Sequence, residues 1–198
     1  MRVARVSCSL VVMLLLWGTD ATATALRRSH PHHHPSCGAE RWSQKILADA
    51  AVSTIDFENV VLTTVEKLSI LPSHCAPREA RGEGPQEFRV YQVEAEIIVA
   101  KRESDKDIHL GLKDLVTGDT MIAESVDPDC AKASPYYRCF IRVRGQIGAM
   151  LSGININSLV GKRVEVQGVG FYDKSHGQSA MASSCLELHP ILSIQEVQ

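Results

Sequence analysis

The sequence has no apolar run approaching the roughly 20 residues that a membrane-spanning helix requires; its most apolar stretch, Leu10 to Trp17, is far too short. It has no CxxC, which removes both a thioredoxin-like redox motif and a cysteine-based zinc site. There is no GxSxG, no HExxH and no glycine-rich turn opening a helix, so serine-hydrolase, zincin and dinucleotide or P-loop chemistry have no support. Positive charge is not in excess either: 21 Lys and Arg against 23 Asp and Glu give a formal charge of −2. That balance supplies no general attraction to a polyanion.

What is present begins with an export signal. Arg2 and Arg5, the apolar run Leu10 to Trp17, and small residues at Ala21, Ala23 and Ala25 have the order of a cleavable signal peptide over residues 1–25. Cleavage would take Cys8 with it and shift the formal charge to −3, because Arg2, Arg5 and Asp20 are lost. The expected mature protein is soluble and exported, to a periplasm or outside the cell. Five cysteines remain: Cys37, Cys75, Cys130, Cys139 and Cys185. In an oxidising compartment that odd number points to up to two bridges and a leftover thiol. Cys130 with Cys139, and Cys37 with Cys75, are pairings that would close local segments, although spacing does not decide connectivity.

The mature chain divides into three parts. Residues 26–38 form a His- and Pro-rich tail; its four histidines, His30 and His32 to His34, can collect a transition metal, but a solvated spacer asks less of them. In residues 39–86, Thr63 followed by Glu66 has capping-box spacing, with Val65, Leu68 and Leu71 at helical intervals before Pro72. Ser73 to Gln86 then reads as an exposed linker, rich in Pro, Gly and charge.

Residues 87–198 read as the main domain. Phe88 to Glu103 is a long first strand and Glu103 to Lys106 a charged turn. Asp107 to Asp114 alternates cleanly, with Ile108, Leu110 and Leu112 on one face and His109 on the other. VTGD turns into a third strand, TMIAESV. Tyr136 to Leu151 reads as a helix, Gly161 to Asp173 as a fourth strand and Cys185 to Val197 as a fifth. The order β-β-β-α-β-β is that of a five-stranded Greek-key barrel, the OB-fold. The fold class expected is therefore mainly β, an OB-fold-like barrel with one or two helices and an N-terminal extension.

Several segments together resemble a group of exported bacterial proteins with no established enzymatic activity. They are ERW at Glu40 to Trp42, DIHL at Asp107 to Leu110, TMIAE at Thr120 to Glu124, DPDC at Asp127 to Cys130, and GVGFYDKSHGQ with ELHPIL between Gly168 and Leu192. The resemblance implies export and a β-rich domain. This chain departs from the pattern just before the last strand, where Ser183, Ser184 and Cys185 replace the expected Asn-Gly.

In an OB-fold the loops after strands one and four flank the usual ligand face. Here those loops are Lys101 to Asp107 and Tyr172 to Ser184, and the candidate ligand-binding set is His109, Tyr172, Asp173, His176, Gln178, Glu187 and His189. A non-catalytic binding or interaction module asks least of these residues. Carbohydrate or another exported protein ranks above nucleic acid as partner, because Glu103, Asp105, Asp107 and Asp173 cancel Lys101, Arg102, Lys106 and Lys174, although Tyr172 offers a ring for stacking. The alternative is a metal-dependent hydrolase, acting for instance on phosphodiesters. It would hold a divalent ion such as zinc on His109, His176 and His189, with Glu187 or Asp173 as general base. Asp105 and Asp107 are too few for calcium and read as a solvated turn. Ser175 beside His176 is no nucleophile–base pair, and Cys185 reads as a bridged or buried cysteine before it reads as a nucleophile. Gly168, Gly170 and Gly177 are expected to bend strands and make a tight turn.

Overall fold

The computed structural model describes residues 37–38, 40–76, 80–82, 84–175 and 177–198. The expected signal peptide, the His30 to His34 cluster and the candidate ligand His176 lie outside those residues. Six strands form one sheet: β1 (Asp56–Leu62), β2 (Arg89–Arg102), β3 (Ile108–Lys113), β4 (Thr120–Ser125), β5 (Arg163–Tyr172) and β6 (Leu186–Glu196). Their order is β1-β2-β3-β4-β6-β5, and pairing of β5 back onto β2 closes a five-stranded barrel with β1 as an extra strand. The barrel is the OB-like arrangement expected from the element order.

Closure depends on the length of β2. Val90 to Glu96 pair with β5, whereas Glu96 to Arg102 pair with β3, and the register shifts between Ile97 and Val99 where one strand hands over to the other. An extra residue on one strand bends it and sharpens its twist, which lets a single strand serve both walls. β5 has a similar adjustment, with register shifts against β6 on both sides of Gly168. A side chain at Gly168 would collide with Leu188 of β6, its Cβ lying 2.8 Å from that residue's Cβ, so glycine permits the close approach.

Alternation then sorts the side chains. Leu110, Leu112, Met121, Ala123, Leu186 and Leu188 point into the barrel core. Their neighbours His109, Glu124, Glu187 and His189 therefore stand on the outer face. Helix α3 (Tyr137–Met150) plugs one side of the barrel with Val143 and Ile147, one turn apart on the same stripe.

The N-terminal region is built onto the barrel. Strand β1 runs parallel to β2, with Val61 opposite Tyr91. The alternation of DFENVVL is too weak to mark a strand in advance, since most of its side chains are exposed or half-buried. The following helix α2 (Val65–Ser69) is capped by Thr64, whose hydroxyl accepts from Lys67 N, not by the Thr63 and Glu66 box. The expected exposed linker is partly buried: Arg81 donates to the Glu87 and Gln44 carbonyls and pairs with Asp49, and Glu87 is wholly buried.

The cysteines pair across the molecule. Cys37 bonds Cys130, and Cys75 bonds Cys185, so both local pairings considered from spacing are wrong. Each bridge ties the N-terminal region to the barrel domain, across 93 and 110 residues respectively. Cys139 lies outside both bridges, buried in α3, where its thiol donates to the Leu192 carbonyl. Two such bridges fit an oxidising compartment. Among the described residues no helix is long and apolar enough to cross a membrane.

Candidate functional site

The strand registers assemble the outer-face cluster without help from loops. His109 on β3 lies directly opposite Glu124 on β4, and His109 Nδ1 approaches Glu124 Oε1 at 2.9 Å. Strand β6 runs parallel beside β4, with Leu188 level with Ala123, so Glu187 and His189 flank Glu124. Glu187 and His189 are two residues apart on one face. His189 Nδ1 thus sits 3.0 Å from Glu187 Oε1 and 3.2 Å from Glu124 Oε2. Glu124 stands between two imidazoles, one held on each of its oxygens.

Asp107 enters from the end of the charged turn. Its Oδ1 accepts from Asp127 N at 2.7 Å, and Arg144 of α3 stands 4.0 Å away. Its Oδ2 faces His189 Nε2 at 3.8 Å, and neither of these two buried atoms has a hydrogen-bond partner. Asp107 is 1 % exposed and His189 0 %. The solvated turn expected for Asp105 and Asp107 is therefore wrong for Asp107, although Asp105 does cap the strand start by accepting from Asp107 N.

The N-terminal segment covers part of this face. The Arg41 guanidinium lies 4.3 Å from the centre of the Phe171 ring and the Lys45 ammonium 5.4 Å, while Phe171 packs against His189 with ring centres 5.5 Å apart. Lys45 (α1, Trp42–Lys45) also reaches Asp173 Oδ2 at 3.4 Å.

So many buried charges perturb one another. Burial pushes the Asp107 carboxyl up to about 7, against the pull of His189. Burial, reinforced by the charges of Asp173 and Glu124, also lifts Glu187 to about 7. For His189 burial acts downward, but hydrogen bonds to Glu124 and Glu187 outweigh it and hold the imidazolium to about 9. Glu124 goes the other way: the two histidines overcome its burial and keep it ionised well below the usual carboxylate range. Burial of Lys45 is likewise outweighed by Glu187 and Asp173, which hold its ammonium above the ordinary lysine value.

Beside the cluster lies a polar depression of about 340 Å³. Its walls are the two loops that the sequence nominated, with Lys101, Glu103, Ser104 and Asp105 from one and Asp173, Gly177 and Gln178 from the other. Lys45 and Glu124 complete the lining.

The nominated residues thus divide. Asp173 and Gln178 line the depression, whereas His109, Glu187 and His189 are buried next to it. Tyr172 is wholly buried and points into the core, so its ring cannot stack on a ligand. His109 uses both ring nitrogens, on Glu124 and on the Ser179 carbonyl 3.2 Å away, and has none left for an ion in this arrangement. Sequence reasoning missed Glu124, Asp107 and Lys45. A carboxylate in the middle of the apolar strand TMIAESV is itself a signal, since burying one is costly unless it is paired.

Comparison with protein-family models and with curated proteins found no match. Among solved structures, the chain is similar to one described as an aspartyl-tRNA synthetase from Leishmania major Friedlin, with 14 % identity, a TM-score of 0.41 and coverage of 72 % of this chain. The similar region makes up 22 % of that chain's length.

Proposed function

We propose that this is an exported, non-catalytic binding module whose ligand is a neutral, hydroxyl-rich molecule such as a short oligosaccharide. The carrying observation is the depression between the two loops, whose lining combines four carboxylates with two lysines. Adjacent acceptors and ammonium donors, with the Gln178 amide, match the paired donor and acceptor character of sugar hydroxyls. A polyanion fits poorly: Glu103, Asp105, Glu124 and Asp173 outnumber Lys45 and Lys101. Export is supported by the sequence of residues 1–25 and agrees with the two bridges. The hydrolase reading on three histidines loses support because His109 is saturated with hydrogen bonds.

The test is a glycan array probed with the full processed chain, followed by titration calorimetry on any hit. Asp173→Ala should weaken binding by about tenfold or more, the loss expected for a charge-assisted hydrogen bond. No glycan bound, or a hit whose affinity ignores Asp173→Ala and Gln178→Ala, overturns the reading.

A further inference from the structure

We infer that a single divalent transition-metal ion of the zinc class binds between His189 Nε2 and Asp107 Oδ2, with Glu124 as its third protein ligand. Buried polar atoms ordinarily find partners, so two that face each other without one need an explanation. At 3.8 Å, His189 Nε2 and Asp107 Oδ2 are too far apart to hydrogen-bond. They are the right distance to share an ion, since bonds of about 2.0–2.2 Å allow two ligand atoms to stand up to about 4.3 Å apart. One ligand atom from each of Asp107, Glu124 and His189 lies within 4.8 Å of the others, and a Glu124 oxygen, which has a second lone pair, reaches the ion by shifting from His189 Nδ1 toward Nε2.

The surroundings are those of a prepared ligand set. Metal-binding imidazoles typically donate their second ring nitrogen to a carboxylate, which fixes ring orientation and tautomer. His189 does this through Nδ1 to Glu187, leaving Nε2 to face Asp107. Asp107 is aimed in the same way, its other oxygen pinned by Asp127 N. Imidazole with carboxylates selects zinc-class ions over calcium or magnesium, which prefer oxygen ligands throughout. Glu124 also lines the polar depression, so an ion has a route from solvent. The inference does not depend on the oligosaccharide reading, and its test contains no sugar.

The probe is zinc alone, added near pH 8 to the full processed chain carrying asparagine at His30, His32, His33 and His34, which removes competition from the tail. Metal analysis after dialysis should find one zinc per chain. Asp107→Asn and His189→Gln should each weaken zinc by more than about 100-fold, and Glu187→Gln, which only orients the ring, by about 10- to 100-fold. Surface Glu96→Gln should leave affinity unchanged. Circular dichroism and disulfide mapping in chelator establish that the variants fold. Cobalt(II) titration of the chain with its cluster intact needs no cluster variant: a visible d–d band saturating at one equivalent supports the site. Absence of stoichiometric zinc, a featureless cobalt titration, or equal zinc affinity in folded Asp107→Asn and His189→Gln would show a buried ion pair only.

Discussion

Arg41 and Glu87 bury one ion pair under the N-terminal segment, and His189, Glu124 and Asp107 bury a second ionic group on the outer face of β3, β4 and β6. The first is a hub of protein contacts. Glu87 accepts from Arg41, from Tyr172 N and from Gly82 N, while the Arg41 guanidinium also reaches the Tyr172 carbonyl and stacks on Phe171. The first leaves a single donor, Arg41 Nε, without a partner, whereas the second keeps two such atoms facing each other, His189 Nε2 and Asp107 Oδ2. Burial of charge is common to both, so burial alone does not mark a functional group. Coordination left open at two converging atoms does. Arg41 and Glu87 are structural, holding residues 40–42 and 84–88 against the end of β5.

Glu87→Ala gives the largest effect and tests the structural half of that contrast. It strands a buried guanidinium, a change that typically costs about 3–5 kcal/mol. Denaturant unfolding monitored by tryptophan fluorescence, with both disulfides intact, should register a loss of that order. Because Trp42 follows Arg41, its emission should also shift as the N-terminal segment loosens. A loss under about 1 kcal/mol would mean that the pair is dispensable and that the two clusters differ less than their contacts imply.

The second prediction concerns pH and applies to protein held in chelator. His189, raised to about 9, contributes stability fully below its ordinary value near 6.5 and loses it as pH climbs through 9. Asp107 and Glu187, raised to about 7 chiefly by burial, resist ionisation in the fold, so their contribution is lost as pH rises from about 4 to 7. Glu124 has the opposite sign: its stability is present above its ordinary value near 4.5 and lost as pH falls below it. Lys45, Asp173, Arg144, Glu103 and Asp105 are the charged groups that face this cluster. Metal-free protein should therefore be most stable near about pH 5 and should melt at progressively lower temperature up to about pH 9. Zinc should flatten or reverse that slope, because the ion needs the deprotonated ligands. A melting temperature that rises from pH 5 to 9 in chelator would contradict the assigned protonation pattern.

Much of the barrel was legible because strand alternation and turn chemistry are local properties. DIHLGLKD announces both faces of β3, and the element order carries the topology. The two loops bordering the depression follow from that topology. What escaped detection depends on contacts between distant segments. β1 is half-exposed and lacks alternation, and the disulfides join residues 93 and 110 positions apart. Glu124 joined no candidate set because its partners lie on β3 and β6, and the β4–β6 pairing is a single parallel register, Ala123 with Leu188, that no local pattern encodes. Asp107 looked like turn polarity. Its burial comes from Asp127, Arg144 and His189, three neighbours remote in sequence.

The smallest predicted effect comes from outside both clusters and serves as their control. Gly145 lies on the exposed side of α3, and a Cβ there would meet nothing within 4 Å. Glycine inside a helix costs about 0.5–1 kcal/mol relative to alanine, through the freedom it retains when unfolded. Gly145→Ala should raise unfolding free energy by that amount, measured in denaturant. The gain should add to the loss from Glu87→Ala, because the two sites share no contact and distant substitutions usually combine within about 0.5 kcal/mol. It should also be the same with chelator and with zinc. A gain that changes on adding zinc would mean that α3, whose Arg144 stands beside Asp107, shifts when the cluster is filled. The outer-face group would then be coupled to the helix, and the division between a structural cluster and an open one would have to be redrawn to include it.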